Sequence, residues 1–335
     1  MSGPTRPQAG QRVALGHISC VRDRWPLHGL MPLGIERPVN VKGEVPSGFL
    51  TATSSAGLIH FREGQPQRLL DGSWYFGLTS DGASWYAFER TGLHGRVVRF
   101  RLDGDERVRT AVWGLPWSIH QIDIVRERLL VMDARHNRVL GYAMTGLNRP
   151  RAWVRTTLRA LPAGSLRAGR DSPNYAHFNS IFATVDDVYL IAHNAWRFTG
   201  RESELFTLDH DLNLRDVRSL GGRNCHNYCR FPYGSGEQEV FLRSDAGEIV
   251  VDGDVAYKCQ SFLRGLAVGR ECRLVGTSGH RNAQQRASGE TGNGRVLVFD
   301  PAWTLVGTIT VPLTQLFDVR LTGEPDFARS ARIPP

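Results

Sequence analysis

The sequence predicts an all-β fold: a six-bladed β-propeller whose ring is closed by an inner strand from the C-terminal end of the chain. Short runs that alternate apolar and polar residues recur along it, such as RLLVMDA, DVYLIAH and GRVLVFD, with Gly, Asp and Asn between them. Self-similarity at a period of roughly 40 to 50 residues, with four short strands in each unit, is typical of a propeller.

Five units fit one frame and have a complete inner strand, the strand that lines the central channel of a propeller. They begin at Tyr75, Ser118, Tyr175, Asn224 and Phe262. A sixth unit, residues 48–70, fits only the second, third and fourth strands. The segment QLFDVRL, residues 315–321, carries the same Asp-aliphatic step as QIDIV in the second of these units. We therefore expect it to complete the first blade. The predicted organisation is an N-terminal extension (1–47), the propeller (48–325) and a C-terminal tail (326–335).

The strand-turn-strand segment DARHNRVLGY resembles the signature of NHL-repeat and gluconolactonase-like six-bladed propellers. This resemblance implies the fold and an active site at the central axis. Gluconolactonase-like enzymes hold a divalent metal there with Glu, Asn and Asp side chains. The present chain shows no matching set and offers histidines instead, so the resemblance does not extend to lactonase chemistry.

Length and composition indicate a globular chain that can bury a core, with 335 residues of which 41% are hydrophobic. No apolar run approaches the roughly 20 residues that span a bilayer, and no signal-peptide pattern is evident. We expect a cytoplasmic protein without a membrane partner. The formal charge of +8 comes from scattered arginines, which predicts no nucleic-acid partner and is compatible with an anionic substrate. The five cysteines form no CxxC pair, so reduced thiols are expected.

Alignment of the units places three histidines in one column, at the start of three successive inner strands. Because inner strands line the channel, this column predicts a ring of side chains at one mouth. In blade order the ring consists of Gln315, Phe76, His120, His177, His226 and Arg264. The second strand of a blade returns to the same mouth. The residue sixteen positions after a ring residue is therefore expected to lie near that ring residue. This spacing predicts an outer tier of His136, His193 and His280, with Arg281 on the loop that follows.

Three neutral imidazoles from neighbouring strands are good ligands for a divalent metal, with iron favoured and copper, manganese or zinc also suitable. The leading hypothesis is a non-haem iron or copper oxidoreductase or oxygenase that acts on a small organic or peptide substrate, with His120, His177 and His226 as ligands. The outer histidines and Arg281 are expected to orient the ligands or contact the substrate. For each histidine alone, a hydrogen-bonded channel residue without metal is the alternative.

Two other functions are compatible with the same residues. In a lyase or hydrolase that uses Mn, Zn or Mg, Arg264 and Gln315 would contact a carboxylate-bearing substrate and a histidine would act as base. The third function is a non-catalytic binding platform, because propellers host many functions. No GxSxG, P-loop or HExxH motif occurs, so hydrolases with a nucleophile elbow, nucleoside triphosphatases and zincins are not predicted.

Overall fold

The computed structural model describes residues 40–44, 46–54, 57–70, 73–102, 108–146, 175–278, 293–311 and 315–330. These residues are almost entirely β-structure and form the six antiparallel blades of a β-propeller. None of the helices in these ranges is long and apolar enough to cross a bilayer.

The first half of the described chain forms eleven strands and one short 3-10 helix, Met144–Gly146. The strands are β1 Asn40–Gly43, β2 Gly48–Thr53, β3 Leu58–Arg62, β4 Gln65–Leu70, β5 Trp74–Ser80, β6 Trp85–Thr91, β7 His94–Phe100, β8 Arg109–Pro116, β9 Ile119–Val125, β10 Arg128–Asp133 and β11 Arg138–Ala143.

The second half of the described chain forms thirteen strands and the single-turn helix α1, Trp196–Thr199. The strands are β12 Ser180–Ala183, β13 Val188–Ala192, β14 Glu204–Leu208, β15 Leu214–Ser219, β16 Cys225–Tyr233, β17 Gly236–Arg243, β18 Glu248–Val251, β19 Asp254–Lys258, β20 Phe262–Val268, β21 Arg273–Ser278, β22 Gly294–Phe299, β23 Leu305–Val311 and β24 Leu316–Leu321.

Each blade is a meander of neighbouring strands. From the channel outwards, blade 1 is β24-β2-β3-β4, blade 2 is β5-β6-β7-β8, blade 3 is β9-β10-β11 in its described part, blade 4 is β12-β13-β14-β15, blade 5 is β16-β17-β18-β19 and blade 6 is β20-β21-β22-β23-β1. In blade 1 the C-terminal strand β24 pairs antiparallel with β2, with Val319 opposite Thr51. The predicted fold class and its closure by the C-terminal inner strand are therefore confirmed.

Two segments that the sequence analysis placed outside the propeller contact it. Strand β1 pairs with β23 and adds a fifth strand to blade 6, with Lys42 opposite Thr308. At the other end of the chain, Asp326 accepts a hydrogen bond from the Val268 N–H at 3.0 Å. Ser330 donates its own N–H to Asp123 at 3.1 Å. Residues 326–330 thus pack against inner strands of the propeller.

The blades pack face to face, so many strands are buried on both sides and carry long apolar runs. Strand β2, GFLTAT, is buried at all six positions, and the rings of Phe49 and Phe61 stack with centroids 4.4 Å apart. In blade 4 the rings of Phe178 and Phe206 meet edge to face at 5.7 Å. Each fully buried aromatic side chain of this kind contributes roughly 1.5 to 3 kcal/mol, so this packing holds the inner strands in place.

Two glycines allow neighbouring inner strands to approach closely. Gly77 in β5 has φ +56°, and a Cβ there would lie 2.6 Å from the backbone nitrogen of Ile122. Gly265 in β20 has φ +81°, and a Cβ there would lie 2.8 Å from the backbone nitrogen of Val319. Only glycine meets both requirements at low cost. Each glycine directly follows a residue at the channel mouth, Phe76 or Arg264, and so helps to place that residue.

Candidate functional site at the channel mouth

Seven side chains form a closed ring of contacts at one mouth of the channel. We call this set the axial ring, and it consists of Phe76, His120, His177, His193, His226, Arg264 and Phe317. The separations between successive ring centroids are 4.2 Å for Phe317–Phe76, 6.0 Å for Phe76–His120, 4.6 Å for His120–His177, 4.9 Å for His177–His193 and 5.0 Å for His193–His226. Arg264 closes the ring, since its Nε lies 3.3 Å from His226 Nε2 and its Cζ lies 5.2 Å from the Phe317 centroid.

The structure brings together five residues that the sequence placed in this ring: Phe76, His120, His177, His226 and Arg264. The prediction for Gln315 differs from the structure, because Phe317 makes the ring contacts of blade 1. Gln315 precedes β24, and its backbone N–H donates to the Ser54 hydroxyl at 3.2 Å.

The error in blade 1 is a register shift of two residues. The alignment matched Asp318 with Asp123, whereas the structure gives Asp318 the same position as Gln121. Asp318 accepts the Leu78 N–H of the next blade at 2.8 Å, as Gln121 accepts the Ile181 N–H at 3.0 Å. The residue before Asp318 therefore corresponds to His120, and that residue is Phe317.

The outer tier predicted from the spacing of sixteen residues is only partly formed. His193 enters the axial ring itself. His136 lies in the turn after β10, with its side chain 49% exposed and Nδ1 2.7 Å from the Asp133 carboxylate. The residue equivalent to His193 in blade 3 is Ala134. The Ala134 N–H donates to the Ser118 carbonyl, and the His193 N–H donates in the same way to the Ala176 carbonyl. His280 and Arg281 lie outside the described residues.

Polar side chains just inside the ring join neighbouring blades. Three residues that directly follow ring members accept a backbone N–H from the next blade, and the pairs are Asp318 with Leu78 at 2.8 Å, Gln121 with Ile181 at 3.0 Å and Asn227 with Gly265 at 2.9 Å. The three acceptors come from alternate blades, 1, 3 and 5. Together with Asn179 and part of the axial ring they line a small polar cavity in the channel.

The hydrogen bonds of His226 define its tautomer. Its Nδ1 lies 2.8 Å from the Asn224 carbonyl oxygen, which can only accept, so Nδ1 carries the proton. The Ser244 hydroxyl lies at the same distance from Nδ1. The lone pair of Nε2 then accepts the Nε–H of Arg264 at 3.3 Å. His226 is thus a neutral imidazole that orients the arginine.

His193 is held in the opposite tautomer. Its Nε2–H donates to the Cys225 carbonyl oxygen at 3.0 Å, so the lone pair is on Nδ1. The side-chain amide of Asn179 contacts the same Nε2 and also donates to the Cys225 carbonyl at 2.9 Å. The imidazole of His193 lies nearly parallel to that of His177, with an interplanar angle of 12°. It therefore supports the position of the His177 ring.

His177 occupies a backbone conformation that is uncommon for a residue with a side chain, with φ +45°. The conformation is held from the neighbouring blade, because Asn137 Oδ1 accepts the N–H of Ala176 at 2.9 Å and that of His177 at 3.2 Å. Such conformations cost roughly 1 to 3 kcal/mol and occur preferentially at functional sites. The fold therefore maintains His177 in this position against a local cost.

All four imidazoles of the ring are neutral at pH 7. Burial, together with the Arg264 charge, lowers the pKa of His177 to about 4. Burial also holds the pKa values of the other three, His120, His193 and His226, well below their usual range, and neighbouring groups that include Arg264 act in the same direction. The site therefore combines four neutral bases with one permanent cation.

The arrangement of these imidazoles does not match a metal site. Across the ranges that the structure describes, no group of three or more His, Cys, Asp or Glu side chains could hold a metal ion. Two ring nitrogens are engaged in other contacts: Nε2 of His226 accepts from Arg264, and Nε2 of His193 donates to the Cys225 carbonyl oxygen.

Comparisons with known proteins show the fold alone. No family model and no curated protein matches the sequence. Among solved structures, a chain of a nidogen/laminin complex superposes with a TM-score of 0.58 at 12% identity and covers 83% of this chain and 99% of that chain. TolB from Acinetobacter baumannii superposes with a TM-score of 0.51 at 8% identity, covering 82% of this chain and 66% of that chain. The protein is therefore a six-bladed β-propeller with a histidine-rich axial ring.

Sequence reasoning missed three residues at this mouth: Phe317, Asn137 and Arg90. Phe317 was hidden by the register shift in blade 1. Asn137 was recognisable only as a turn residue. Arg90 lies opposite Trp74 in the β5–β6 pairing. It stands at the end of the second strand of its blade, the same position at which the histidine spacing predicted outer-tier residues in other blades, and this position could have identified it.

Proposed function

We propose that the protein binds a small carboxylate-bearing molecule at the axial ring and acts on it as a lyase or hydrolase, with His177 as the base. The observation that carries this proposal is the 3.3 Å contact between Arg264 Nε and His226 Nε2. It places a guanidinium group at the edge of four imidazoles that are all neutral.

Arg264 is suited to bind the carboxylate. Its guanidinium lies over two aromatic rings, 5.5 Å from the Phe262 centroid and 5.2 Å from that of Phe317. Stacking of this kind fixes the plane of the group, which favours bidentate recognition of an oxyanion. Its charge depresses the pKa values of the neighbouring imidazoles, so a bound anion would offset that charge and make protonation of an imidazole easier.

Among the four imidazoles we assign the role of base to His177, whose positive φ is of the kind that occurs preferentially at functional sites. His177 lies between His193 and His120, with centroids at 4.9 and 4.6 Å, and its backbone is held in place from blade 3. A neutral imidazole beside a bound carboxylate can remove a proton from the adjacent carbon or from a water molecule. The first reaction begins an elimination and the second a hydrolysis.

The metal-dependent oxidoreductase expected from the sequence stays a prediction. Neutral imidazoles are what a divalent metal requires, but the described histidines do not form a metal site, and no step of the proposed reaction depends on one. Elemental analysis of the purified protein checks this alternative. Stoichiometric iron or copper that is lost in His177→Asn would favour the oxidoreductase over the function proposed above.

Isothermal titration with naphthalene-2-carboxylate tests the proposed anion site. We expect Arg264→Gln to weaken binding by roughly 10- to 100-fold, the usual loss for a charge-assisted hydrogen bond, and Arg264→Lys to weaken it less. Arg270→Gln is the matched control, since it removes the same charge from an exposed position between β20 and β21. Equal affinities in Arg264→Gln and Arg270→Gln would contradict the proposal.

A further inference from the structure

Beside the axial ring, arginine and tryptophan side chains alternate along blades 2 and 3. Arg90 lies between two indoles, with Cζ 5.1 Å from the Trp74 centroid and 4.6 Å from that of Trp117. Arg135 lies on Trp117 at 5.8 Å. We call Trp74, Arg90, Trp117 and Arg135 the Trp–Arg ladder.

The two arginines of the ladder form no ion pair with any residue in the described part of the chain. Several other described arginines do form ion pairs, for example Arg96 with Glu89 at 2.5 Å and Arg138 with Asp133 at 2.9 Å. Burial lowers the pKa of Arg90, which indicates that its charge is partly removed from water. A desolvated guanidinium held on aromatic faces is a strong attractor for an oxyanion.

The ladder is continuous with the axial ring. The Trp74 ring lies 6.0 Å from that of Phe317 and 6.3 Å from that of Phe76, and the charge of Arg90 is among those that lower the pKa of His120. Phe317 in turn contacts Arg264. Two guanidinium groups therefore flank one apolar aromatic surface, with Arg264 on its blade 6 side and Arg90 on its blade 2 side.

We propose that the ligand of this site is a dicarboxylate with a flat apolar body. Arg264 binds one carboxylate, Arg90 binds the second, and the body lies against Trp74 and Phe317. This inference rests on the proposed function, which assigns the first carboxylate to Arg264, and it extends that function by naming the class of ligand. The Trp74 side chain is 37% exposed, and a flat body would cover it.

A matched pair of probes tests the inference by isothermal titration: naphthalene-2,6-dicarboxylate and naphthalene-2-carboxylate. They share the same apolar body and differ by one carboxylate. We expect the unmodified protein to bind the dicarboxylate roughly 10- to 100-fold more tightly, as one further charge-assisted contact implies. Arg90→Gln should remove this difference, because it lowers the affinity for the dicarboxylate far more than that for the monocarboxylate. Arg90→Lys should retain part of it.

Failure of the inference can be distinguished from failure of the proposed function. If Arg90→Gln keeps the full preference for the dicarboxylate while Arg264→Gln weakens both probes, the second site is refuted and the first stands. If Arg264→Gln weakens neither probe, or the unmodified protein binds neither, the proposed function is refuted and the inference with it. Arg270→Gln again controls for the lost charge, and thermal unfolding shows whether Arg90→Gln remains folded. If Arg90→Gln does not fold, the preference for the dicarboxylate over the monocarboxylate is compared between Arg90→Lys and the unmodified protein, and an equal preference refutes the second site.

Discussion

Arg264 donates its Nε–H to Nε2 of His226 at 3.3 Å, so the cation of the axial ring is oriented by a neutral histidine. The proton on the other nitrogen of His226 is fixed by the Asn224 carbonyl. Because His226 is neutral, it does not offset the charge of the Arg264 guanidinium. This charge acts on the other imidazoles of the ring.

Removal of the cation should raise the pKa of His177. Burial and the Arg264 charge together lower it to about 4, and Arg264→Gln removes the second contribution. Long-range proton–nitrogen spectra of the histidine side chains over a pH series measure this pKa directly. Arg264→Lys should leave it lowered, whereas an unchanged value in Arg264→Gln would show that the guanidinium does not act on His177.

The axial ring should make the protein sensitive to mild acid. The four imidazoles have lowered folded-state pKa values, so between about pH 6.5 and 4 the unfolded chain binds more protons than the folded chain. Their contribution to the free energy of unfolding is complete above pH 6.5 and is lost as the pH falls, by about 1.4 kcal/mol per pH unit for each histidine.

Buried carboxyls act in the opposite direction in this window, since burial raises the pKa of Asp318 to about 6 and also raises that of Asp326. The test is therefore a difference between two proteins. Urea unfolding at pH 7 and pH 5 should show a smaller loss of stability in His177→Asn than in the unmodified protein, because one proton-binding difference is absent. Identical losses would mean that the pKa of His177 is the same in the folded and unfolded states.

Asn137 should be required for the position of His177. Asn137→Gly keeps the positive φ of this turn residue but removes the acceptor for the N–H groups of Ala176 and His177. We expect a loss of about 1 to 3 kcal/mol in unfolding free energy, together with a change in the His177 side-chain resonances. Asn137→Asp retains the acceptor and is the matched control. If the glycine variant is as stable as the aspartate variant and its His177 resonances are unshifted, these bonds do not position the ring.

Closure of the propeller should depend on β24. A chain that ends at residue 314 loses this strand and exposes the edge of β2, so it should fail to unfold cooperatively on heating. A chain that ends at residue 330 retains β24 and is the control. A cooperative transition at the same temperature in both chains would contradict closure by the C-terminal strand.

The fold was predictable because its signal is repeated. Six copies of a strand pattern reinforce one another, and QLFDVRL supplied the one missing copy. The histidine column of His120, His177 and His226 was found for the same reason. Details that differ between blades were not predictable. β-bulges shift the register of β5, β16 and β20 beside the ring residues. Because a bulge inserts an extra residue, the side of the strand on which a side chain lies cannot be derived from strict alternation.

Two outcomes at the site show this limit in physical terms. His193 and His136 have the same spacing from their inner-strand partners, yet only His193 reaches the ring. The turn between β12 and β13 covers residues 184–187, whereas the turn between β9 and β10 covers only 126–127, so His136 lies two residues further beyond its strand pairing. The end of a second strand marks Arg90 as a residue near the mouth, but its place between Trp74 and Trp117 depends on the packing of two blades. Contacts between blades are tertiary, so a pattern within one blade does not specify them.

The most direct measurement is the pKa of His177 with and without bound naphthalene-2-carboxylate. An anion held by Arg264 offsets the charge that depresses this pKa, so saturation with the carboxylate should raise it above its value of about 4. The ligand should have no such effect in Arg264→Gln. A His177 pKa that is unchanged by saturating carboxylate in the unmodified protein would contradict the placement of the anion beside Arg264 in the axial ring.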